Sequence, residues 1–212
     1  MDDQKMPAPG FVKLLKRIAR RVLAPLLKRK NFQMRPDGRS RDGLIDLVNK
    51  LGSDNLTMVE IGSYKGESAE IFLKTGKVAR IYCIDPWQMF YDPDDGAAFT
   101  DMVKVEAEFD RRHANDSRVV KVRGTVDTFV EQYKSDPEFF KKIDFVYIDG
   151  LHTYEGVHHD IEMVMANFKP RVAIAGHDYY MDNWPGIVKA INELLGEPDA
   201  TFSDGSWVKK MA

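Results

Sequence analysis

Residues 58–68, MVEIGSYKGES, constrain the fold more than any other stretch of this chain. An apolar run contains Glu60 and ends at Gly62 and Gly66, which lie four positions apart, and a helical pattern begins after them. This order predicts a strand, a tight turn and a helix. Because glycine lets the backbone pass close to a ligand and a helix N-terminus attracts one, we expect the first unit of a nucleotide-type α/β fold.

The rest of the chain continues this alternation of strand and helix. Strands are predicted at about 56–61, 79–84, 118–122, 143–148 and 172–175, with short ones at 201–202 and 207–209. Helices are predicted at about 42–51, 67–75, 98–113, 125–133, 154–168 and 185–195. Right-handed crossovers then give a Rossmann-like, doubly wound and mostly parallel seven-stranded sheet with helices on both faces.

The charge is divided unevenly along the chain. Residues 1–35 hold ten Lys or Arg and two Asp, whereas residues 36–212 hold 21 basic and 31 acidic residues. We therefore predict a basic extension, 1–35, with an amphipathic helix over 11–30, and a main domain, 36–212. The helix has two open roles: packing on its own domain or on a second copy as a homo-oligomer, or contact with an anionic membrane surface. The acidic body disfavours a nucleic-acid partner.

The cysteine content and the hydropathy indicate in which cellular compartment the protein is expected. Cys83 is the only cysteine, which excludes an intrachain disulfide and favours a reducing compartment. No apolar run approaches the roughly 18 residues that suggest a membrane span. The expected location is cytoplasmic, and membrane-peripheral if the basic helix binds lipid.

Acidic residues and glycines stand at the predicted strand ends, where ligands bind in such folds. Asp85 follows Gly62 by 23 residues, near the ~20-residue interval at which an acidic residue meets ribose hydroxyls. Tyr64 occupies the position where a pyrophosphate-binding turn needs glycine, which disfavours an NAD-dependent dehydrogenase. The full set is Glu60, Ile61, Gly62, Asp85, Gly124, Thr125, Asp149, Gly150, Leu151, His152, His177 and Asp178.

Two segments carry a resemblance to a known family. Residues 60–69, EIGSYKGESA, and 81–87, IYCIDPW, are similar to the first two motifs of class I S-adenosylmethionine-dependent methyltransferases. Residues 148–161, IDGLHTYEGVHHDI, resemble a branch with an Ile-Asp-Gly-x-His-x-Tyr-Glu string that includes sugar and natural-product O-methyltransferases. The similarity covers about 56–195 and leaves the basic extension out.

The resemblance implies roles in binding S-adenosylmethionine. Glu60 would lie near its amino group, Asp85 would take the ribose hydroxyls, and Trp87 would flank the adenine or only anchor its loop. The first turn would pass beside the methionine part, Gly124 and Thr125 would meet the adenine edge, and Asp149 would lie across the cofactor. The implied binding residues are Glu60, Gly62, Ser63, Tyr64, Gly66, Ser68, Asp85, Trp87, Gly124, Thr125 and Asp149.

A divalent cation, Mg²⁺ in the first place, is the second predicted cofactor. Asp149 and Asp178 should end adjacent strands, and two carboxylates repel unless a cation or proton lies between them. Transfer to a weakly acidic hydroxyl also benefits from a metal and a general base. We expect Asp149, Asp178 and His177 as ligands and His152 with Asp149 as catalytic residues. It stays open whether the base is His152 or His177, and whether His152 only orients the acceptor.

Three further histidines receive lesser roles. His158 and His159, with Asp160, lie within a predicted helix and are interpreted as surface or substrate-edge residues. His113 stands at a helix end, where a positive charge is favourable.

The predicted function is S-adenosylmethionine-dependent O-methylation, assisted by a divalent metal, of a hydroxyl on a sugar, glycan or glycosylated natural product. Two alternatives are a metal-dependent enzyme of other chemistry on the same fold, and a non-catalytic scaffolding protein that docks through its basic helix.

Overall fold

The structure, a computed structural model, describes residues 39–92, 95–180 and 182–211. The seven strands are β1 (Leu56–Ile61), β2 (Val78–Asp85), β3 (Val119–Arg123), β4 (Phe145–Ile148), β5 (Ala173–Gly176), β6 (Ala200–Thr201) and β7 (Trp207–Lys210). The helices are α1 (Arg39–Leu51), α2 (Glu67–Lys74), α3 (Met102–His113), α4 (Val126–Tyr133), α5 (Pro137–Phe140), α6 (Tyr154–Asn167) and α7 (Pro185–Leu195). A 3-10 turn occupies Gly96–Phe99.

The strands form one sheet in the order β3-β2-β1-β4-β5-β7-β6. β1 to β5 are parallel, while β7 runs antiparallel to β5 and to β6. The order reverses between β1 and β4, the switch point at which ligands bind in such sheets. The predicted Rossmann-like, mostly parallel seven-stranded architecture is confirmed.

Alternate residues of the central strands face two separate apolar layers. Met58 of β1 packs with Phe145 of β4 on one face, whereas Val59 and Val146 belong to the other. The first layer is completed by residues of α1, α2 and α3, and the second by residues of α4 to α7. Burial on both faces explains why β4, FVYI, is an uninterrupted apolar run.

Two local features differ from the predicted elements. The helix expected at 98–113 is divided into the 3-10 turn and α3, because the Asp101 side chain accepts a hydrogen bond from the Lys104 backbone N–H and begins a new helix. The short α5 was not predicted; it begins at Pro137 behind the cap residue Asp136, whose side chain accepts from the Glu138 backbone N–H.

Several predictions fall on residues 1–38 and lie outside the described residues. They are the amphipathic helix over 11–30, its membrane or oligomer contact, and the whole of the 1–35 extension. Among the helices that the structure describes, none combines the length and apolar character needed to cross a bilayer.

Candidate active site

The carboxyl ends of β1, β2, β4 and β5 meet at one edge of the sheet. Backbone N–H groups just beyond three strands donate to the neighbouring strand: Gly62 to Ile84 at 2.8 Å, Asp149 to Ile61 at 2.8 Å and His177 to Ile148 at 3.1 Å. The residues predicted to carry the chemistry therefore lie together on one side of the sheet.

The first turn leaves no room for a side chain at Gly62. Its φ is +89°, and a Cβ atom there would lie 2.0 Å from the backbone oxygen of Asp149. The loop after β1 is thereby pressed against the loop after β4. Gly66 has φ +74° and directly precedes α2, which begins at Glu67. The turn thus points the N-terminus of α2 toward the strand edge, as the sequence predicts.

His113 supports this turn and does not act as the surface charge that we expected at the end of α3. The residue is 9% exposed, and its Nε2 lies 3.0 Å from the backbone oxygen of Gly66. Burial lowers the pKa of His113. The neutral ring donates from Nε2, because a carbonyl oxygen only accepts. The expected favourable charge is therefore wrong.

Asp85 is tied to the backbone of two loops. One carboxylate oxygen accepts from the Tyr64 backbone N–H at 2.8 Å, and the other from that of Trp87 at 2.6 Å. Each oxygen keeps a further lone pair, so a ribose hydroxyl can still donate to it. Gly124 follows β3 beside it, with its N–H donating to the Asp85 backbone oxygen at 3.0 Å, and Thr125 caps α4.

Trp87 lies in the core beneath the loop. Its residue exposure is 3%, its ring packs against Phe109 at 5.1 Å between centroids, and its indole Nε1 donates to the Tyr64 backbone oxygen at 2.8 Å. Of the two roles left open by the sequence, this geometry favours loop anchoring over an adenine contact.

Glu60 is a fully buried carboxyl group with an unused oxygen. Ser68 Oγ donates to its Oε1 at 2.5 Å, whereas Glu60 Oε2 and the nearby Ser63 Oγ have no hydrogen-bond partner among the described residues. Desolvation raises the pKa of Glu60 to about 7, although the Ser68 hydroxyl and, to a smaller extent, the nearby Ser63 and Cys83 side chains oppose this. A buried acceptor without a donor is the condition under which a ligand ammonium group is stabilised. These residues therefore fit the amino group of S-adenosylmethionine.

Asp149, His152 and Asp178 form the charged part of the site. One ligand atom from each lies within 4.8 Å of the others. His152 Nε2 is 2.8 Å from Asp178 Oδ2, and His177 Nδ1 is 3.2 Å from Asp178 Oδ1. His177 Nδ1 is 3.9 Å from Asp149 Oδ1 and belongs to no such three-residue group with these two aspartates. The two carboxylates and the imidazole of His152 form a donor set that would suit a divalent cation.

Asp178 has an unusual backbone conformation, and the pKa values of Asp178 and His152 are both strongly shifted. Asp178 has φ +61°, an unusual backbone conformation for a residue other than glycine. Burial opposes ionisation of Asp178, but the hydrogen bonds from His152 and His177 outweigh it and hold its pKa well below the usual range. Burial by itself lowers the pKa of His152, yet its bonds to Asp178 and Asp92 raise it to about 11. The ring is thus an imidazolium between two carboxylates.

Two residues of the site were missed by sequence reasoning. Asp92 contacts His152 through Nδ1 at 2.8 Å and through its backbone N–H at 2.7 Å. Trp184, just before α7, packs its ring against that of His152 with centroids 4.8 Å apart. Asp92 stands 60 positions from His152 and Trp184 stands 32 positions from it, so no spacing rule connects them.

His158 and His159, which the sequence suggests are surface or substrate-edge residues, pair with carboxylates that do not belong to this cluster. His158 Nδ1 pairs with Glu162 at 3.2 Å, and His159 Nε2 pairs with Asp127 at 3.0 Å. Asp160 is only 8% exposed and lies beneath Gly150, and burial raises its pKa to about 7. Its placement at the surface is therefore wrong: it lies on the inner face of α6.

A protein-family model described as a methyltransferase domain matches residues 59–179. The match covers more than half of the chain, and it runs from β1 past Asp178 through all the strand ends described above. The chain belongs to this methyltransferase family. The predicted resemblance and the enzyme class, S-adenosylmethionine-dependent methyltransferase, are confirmed, and the fold supports the cofactor.

Individual relatives are distant in sequence. Uncharacterized protein R132 of Acanthamoeba polyphaga mimivirus is 24% identical over 165 residues, which cover 74% of this methyltransferase and 67% of the viral protein. CalS11, a calicheamicin methyltransferase, has a TM-score of 0.57 at 17% identity over 100% of this chain and 98% of its own. The O-methyltransferase from Bacillus cereus in complex with SAH has a TM-score of 0.55 at 16% identity, over 97% and 91%. These similarities show a shared fold.

Proposed function

We propose that this methyltransferase transfers the methyl group of S-adenosylmethionine to a hydroxyl group of a sugar or glycosylated acceptor, with a divalent cation bound by Asp149 and Asp178. The observation that carries the proposal is the cluster of Asp149, His152 and Asp178 within 4.8 Å, directly beside the Gly62 turn. An imidazole and two carboxylates at this edge suit removal of a proton from a hydroxyl group.

In this proposal, the cofactor is bound by hydrogen-bonding groups that the protein holds in fixed positions. Glu60 Oε2 and Ser63 Oγ offer unpartnered acceptors for the amino group, and Asp85 offers its remaining lone pairs to the ribose. The Gly62–Gly66 turn would hold the methionine part through its backbone. When bound, S-adenosylmethionine supplies an electrophilic methyl group on a sulfonium, which the protein needs only to hold and orient.

The acceptor side lies around His152 and Trp184. An indole ring at 4.8 Å from the imidazole offers an apolar face on which the C–H face of a sugar ring can pack. CalS11, which shares the fold, is a TDP-rhamnose 3'-O-methyltransferase. Both observations support a sugar hydroxyl as acceptor.

His152 is the base in this proposal. It needs a neutral ring with a free Nε2, so Asp178 must exchange its bond to Nε2 for another partner. Asp149 and Asp178 would hold a divalent cation, which when bound would supply the competing positive charge and Lewis-acid stabilisation of an oxyanion. Without a cation, His177 supplies positive charge beside these carboxylates: burial lowers its pKa, but Asp149 and Asp178 raise it to about 9.

The test combines binding and turnover. Isothermal titration of the full chain with SAH should show saturable binding. Release of SAH should then depend on an acceptor from a panel of nucleotide sugars that includes TDP-rhamnose. Chelation should abolish the release, and Mg²⁺ should restore it. Asp149→Asn and Asp178→Asn should lose the response to Mg²⁺, whereas Glu162→Gln, outside the site, should keep it.

Each arm has a result that contradicts part of the proposal. A folded protein that does not bind SAH excludes the cofactor role. SAH release that is unchanged by chelation and by Asp178→Asn excludes the metal. Turnover only with acceptors that lack a sugar excludes the acceptor class.

A further inference from the structure

Asp92, in the loop after β2, contacts the imidazole ring of His152, the proposed base. The loop starts at the carboxyl end of β2, which is two strands away from β4 in the sheet. Asp92 nevertheless lies against His152, and its side chain is 8% exposed compared with 16% for the histidine. A carboxylate enclosed to this extent is stable only with hydrogen-bonded partners.

Both oxygens of Asp92 accept hydrogen bonds from groups in known positions. Oδ2 accepts from the His152 backbone N–H at 2.7 Å and lies 2.8 Å from Nδ1 of the same residue. Oδ1 accepts from the Asp95 backbone N–H at 3.2 Å. The carboxylate therefore cannot rotate without breaking bonds on both sides, and it fixes the main chain and the ring of His152 together.

We propose that Asp92 is a positioning residue for methyl transfer, which holds the His152 ring through Nδ1 so that Nε2 faces Asp178 and the acceptor. This inference rests on the proposed function, because it assigns Asp92 a task in presenting that base. A carboxylate oxygen only accepts, so Nδ1 must carry a proton and the lone pair of the neutral ring must be on Nε2. Asp92 exchanges no atoms with substrate.

The contacts around the His152 ring define which nitrogen faces Asp92 and which faces Asp178. Trp184 contacts the imidazole at 4.8 Å between centroids, and Asp178 Oδ2 lies at 2.8 Å from Nε2. With Nδ1 held by Asp92, flipping the ring would put Cδ2 in the place of Nδ1 and Cε1 in the place of Nε2, and so bring carbon atoms against both carboxylates. Hydrogen-bond partners that orient a metal-ligating imidazole typically contribute about 10–100-fold to metal affinity or activity. We expect an effect of the same order where the imidazole acts as a base.

The contact is tested by the histidine ring signals of the full chain, labelled with ¹⁵N-histidine and measured at a single pH. His152→Gln identifies the His152 signals. We expect the Nδ1 proton of His152 to be observed in the wild type, protected from exchange with water. Asp92→Ala should lose it. Glu162→Gln is a matched control, because it removes another carboxylate from the Nδ1 of a histidine, His158, outside the site.

The task is tested by kinetics with the acceptor found in the panel above. Asp92→Ala should lower kcat by about 10–100-fold, with KM values within about threefold and SAH affinity unchanged. Asp92→Asn keeps the shape of the side chain, but its amide nitrogen must face the N–H of either His152 or Asp95. Its kcat should lie between those of the wild type and the alanine variant, and Glu162→Gln should match the wild type.

The outcomes separate this inference from the proposed function. An Nδ1 signal that persists in Asp92→Ala overturns the inference, as does a kcat equal to that of the wild type in both Asp92 variants. A lower kcat together with weaker SAH binding in both variants also overturns it, because that indicates a general structural role. If the wild type transfers no methyl group to any acceptor, the proposed function fails, and persistence or loss of the Nδ1 signal then decides the contact by itself.

Discussion

On the β1–β2 side of the active-site edge, carboxylates accept hydrogen bonds from backbone N–H groups and a hydroxyl. On the β4–β5 side, the carboxylates pair with histidine rings. Asp85 accepts from the backbones of Tyr64 and Trp87. Asp178 accepts from the rings of His152 and His177. The carboxylates of the first side are therefore bound by uncharged donors, most of them in the backbone. Those of the second side are bound by side chains whose charge and orientation can change.

This difference suits the two tasks. A cofactor that must only be held and oriented is best bound by preformed backbone groups. An acceptor hydroxyl that must lose a proton needs groups that can accept one and a balance of charge that a cation can alter. Changes to the cofactor side should thus act on folding and affinity, and changes to the acceptor side on turnover.

The largest effect is expected at Gly62, where the two sides touch. Gly62→Ala places a Cβ atom 2.0 Å from the Asp149 backbone oxygen at φ +89°. Backbone strain and overpacking together should cost about 3–6 kcal/mol of folding free energy, measured by urea denaturation. Gly52→Ala is the matched control: its φ is also positive, at +69°, but nothing lies within 4 Å of the added atom. It should cost about 1–2 kcal/mol, and equal costs for both variants would contradict the packed turn.

The next largest effect is expected at His152. His152→Gln removes the proposed base and should lower the rate of methyl transfer by about 10²–10⁴-fold. SAH affinity, measured by titration, should stay the same, because the cofactor side does not depend on this ring. His158→Gln, on α6 outside the site, should keep full activity. A loss of SAH affinity that parallels the loss of rate would show that the two sides are not independent.

Asp160 tests whether the buried charge beneath the acceptor side costs stability. The folded protein keeps the Asp160 proton up to a pKa of about 7, whereas an unfolded chain releases it near pH 4. The folded state therefore binds more protons between these values, and this contribution to stability is lost as the pH rises from about 4 to about 7. Asp160→Asn should gain roughly 2 kcal/mol over the wild type when the pH is raised from 5 to 8.

The measurement is urea denaturation of both proteins at pH 5 and pH 8. Glu162→Gln changes a carboxylate on the same helix whose side chain is 58% exposed, and it serves as the control without such a gain. An Asp160→Asn difference that is the same at both pH values would contradict the burial argument.

The smallest effect is expected in the pH dependence of cofactor binding. Glu60 has a pKa of about 7 in the free protein, and a ligand ammonium group favours its ionised form. SAH affinity should therefore rise as the pH is raised from 6 to 7.5, by at most about tenfold per unit. Titration calorimetry of Glu60→Gln should show weaker binding with a flatter profile. An affinity that falls over this range would place the amino group elsewhere.

Much of the fold could be predicted because its causes are local. The apolar alternation and the turn glycines place β1 at Leu56–Ile61 and α7 at Pro185–Leu195, as expected from the sequence. The strand-end residues Asp85, Asp149 and Asp178 follow from the same pattern, since parallel strands bring their carboxyl ends to one edge. The helix expected at 98–113 failed because a cap at Asp101 acts over only one turn and interrupts an otherwise continuous helical pattern.

The sequence by itself determined the sheet, the edge and the set of chemical groups along it, because strand and helix periodicity depends on neighbouring residues. Only the tertiary structure decided how those groups are partnered. Asp92 against His152, His113 beneath Gly66, Trp87 in the core and Asp160 beneath Gly150 all join segments that are far apart in the chain. Such pairs depend on how loops and helix faces pack in three dimensions, and that packing leaves no periodic pattern in the sequence.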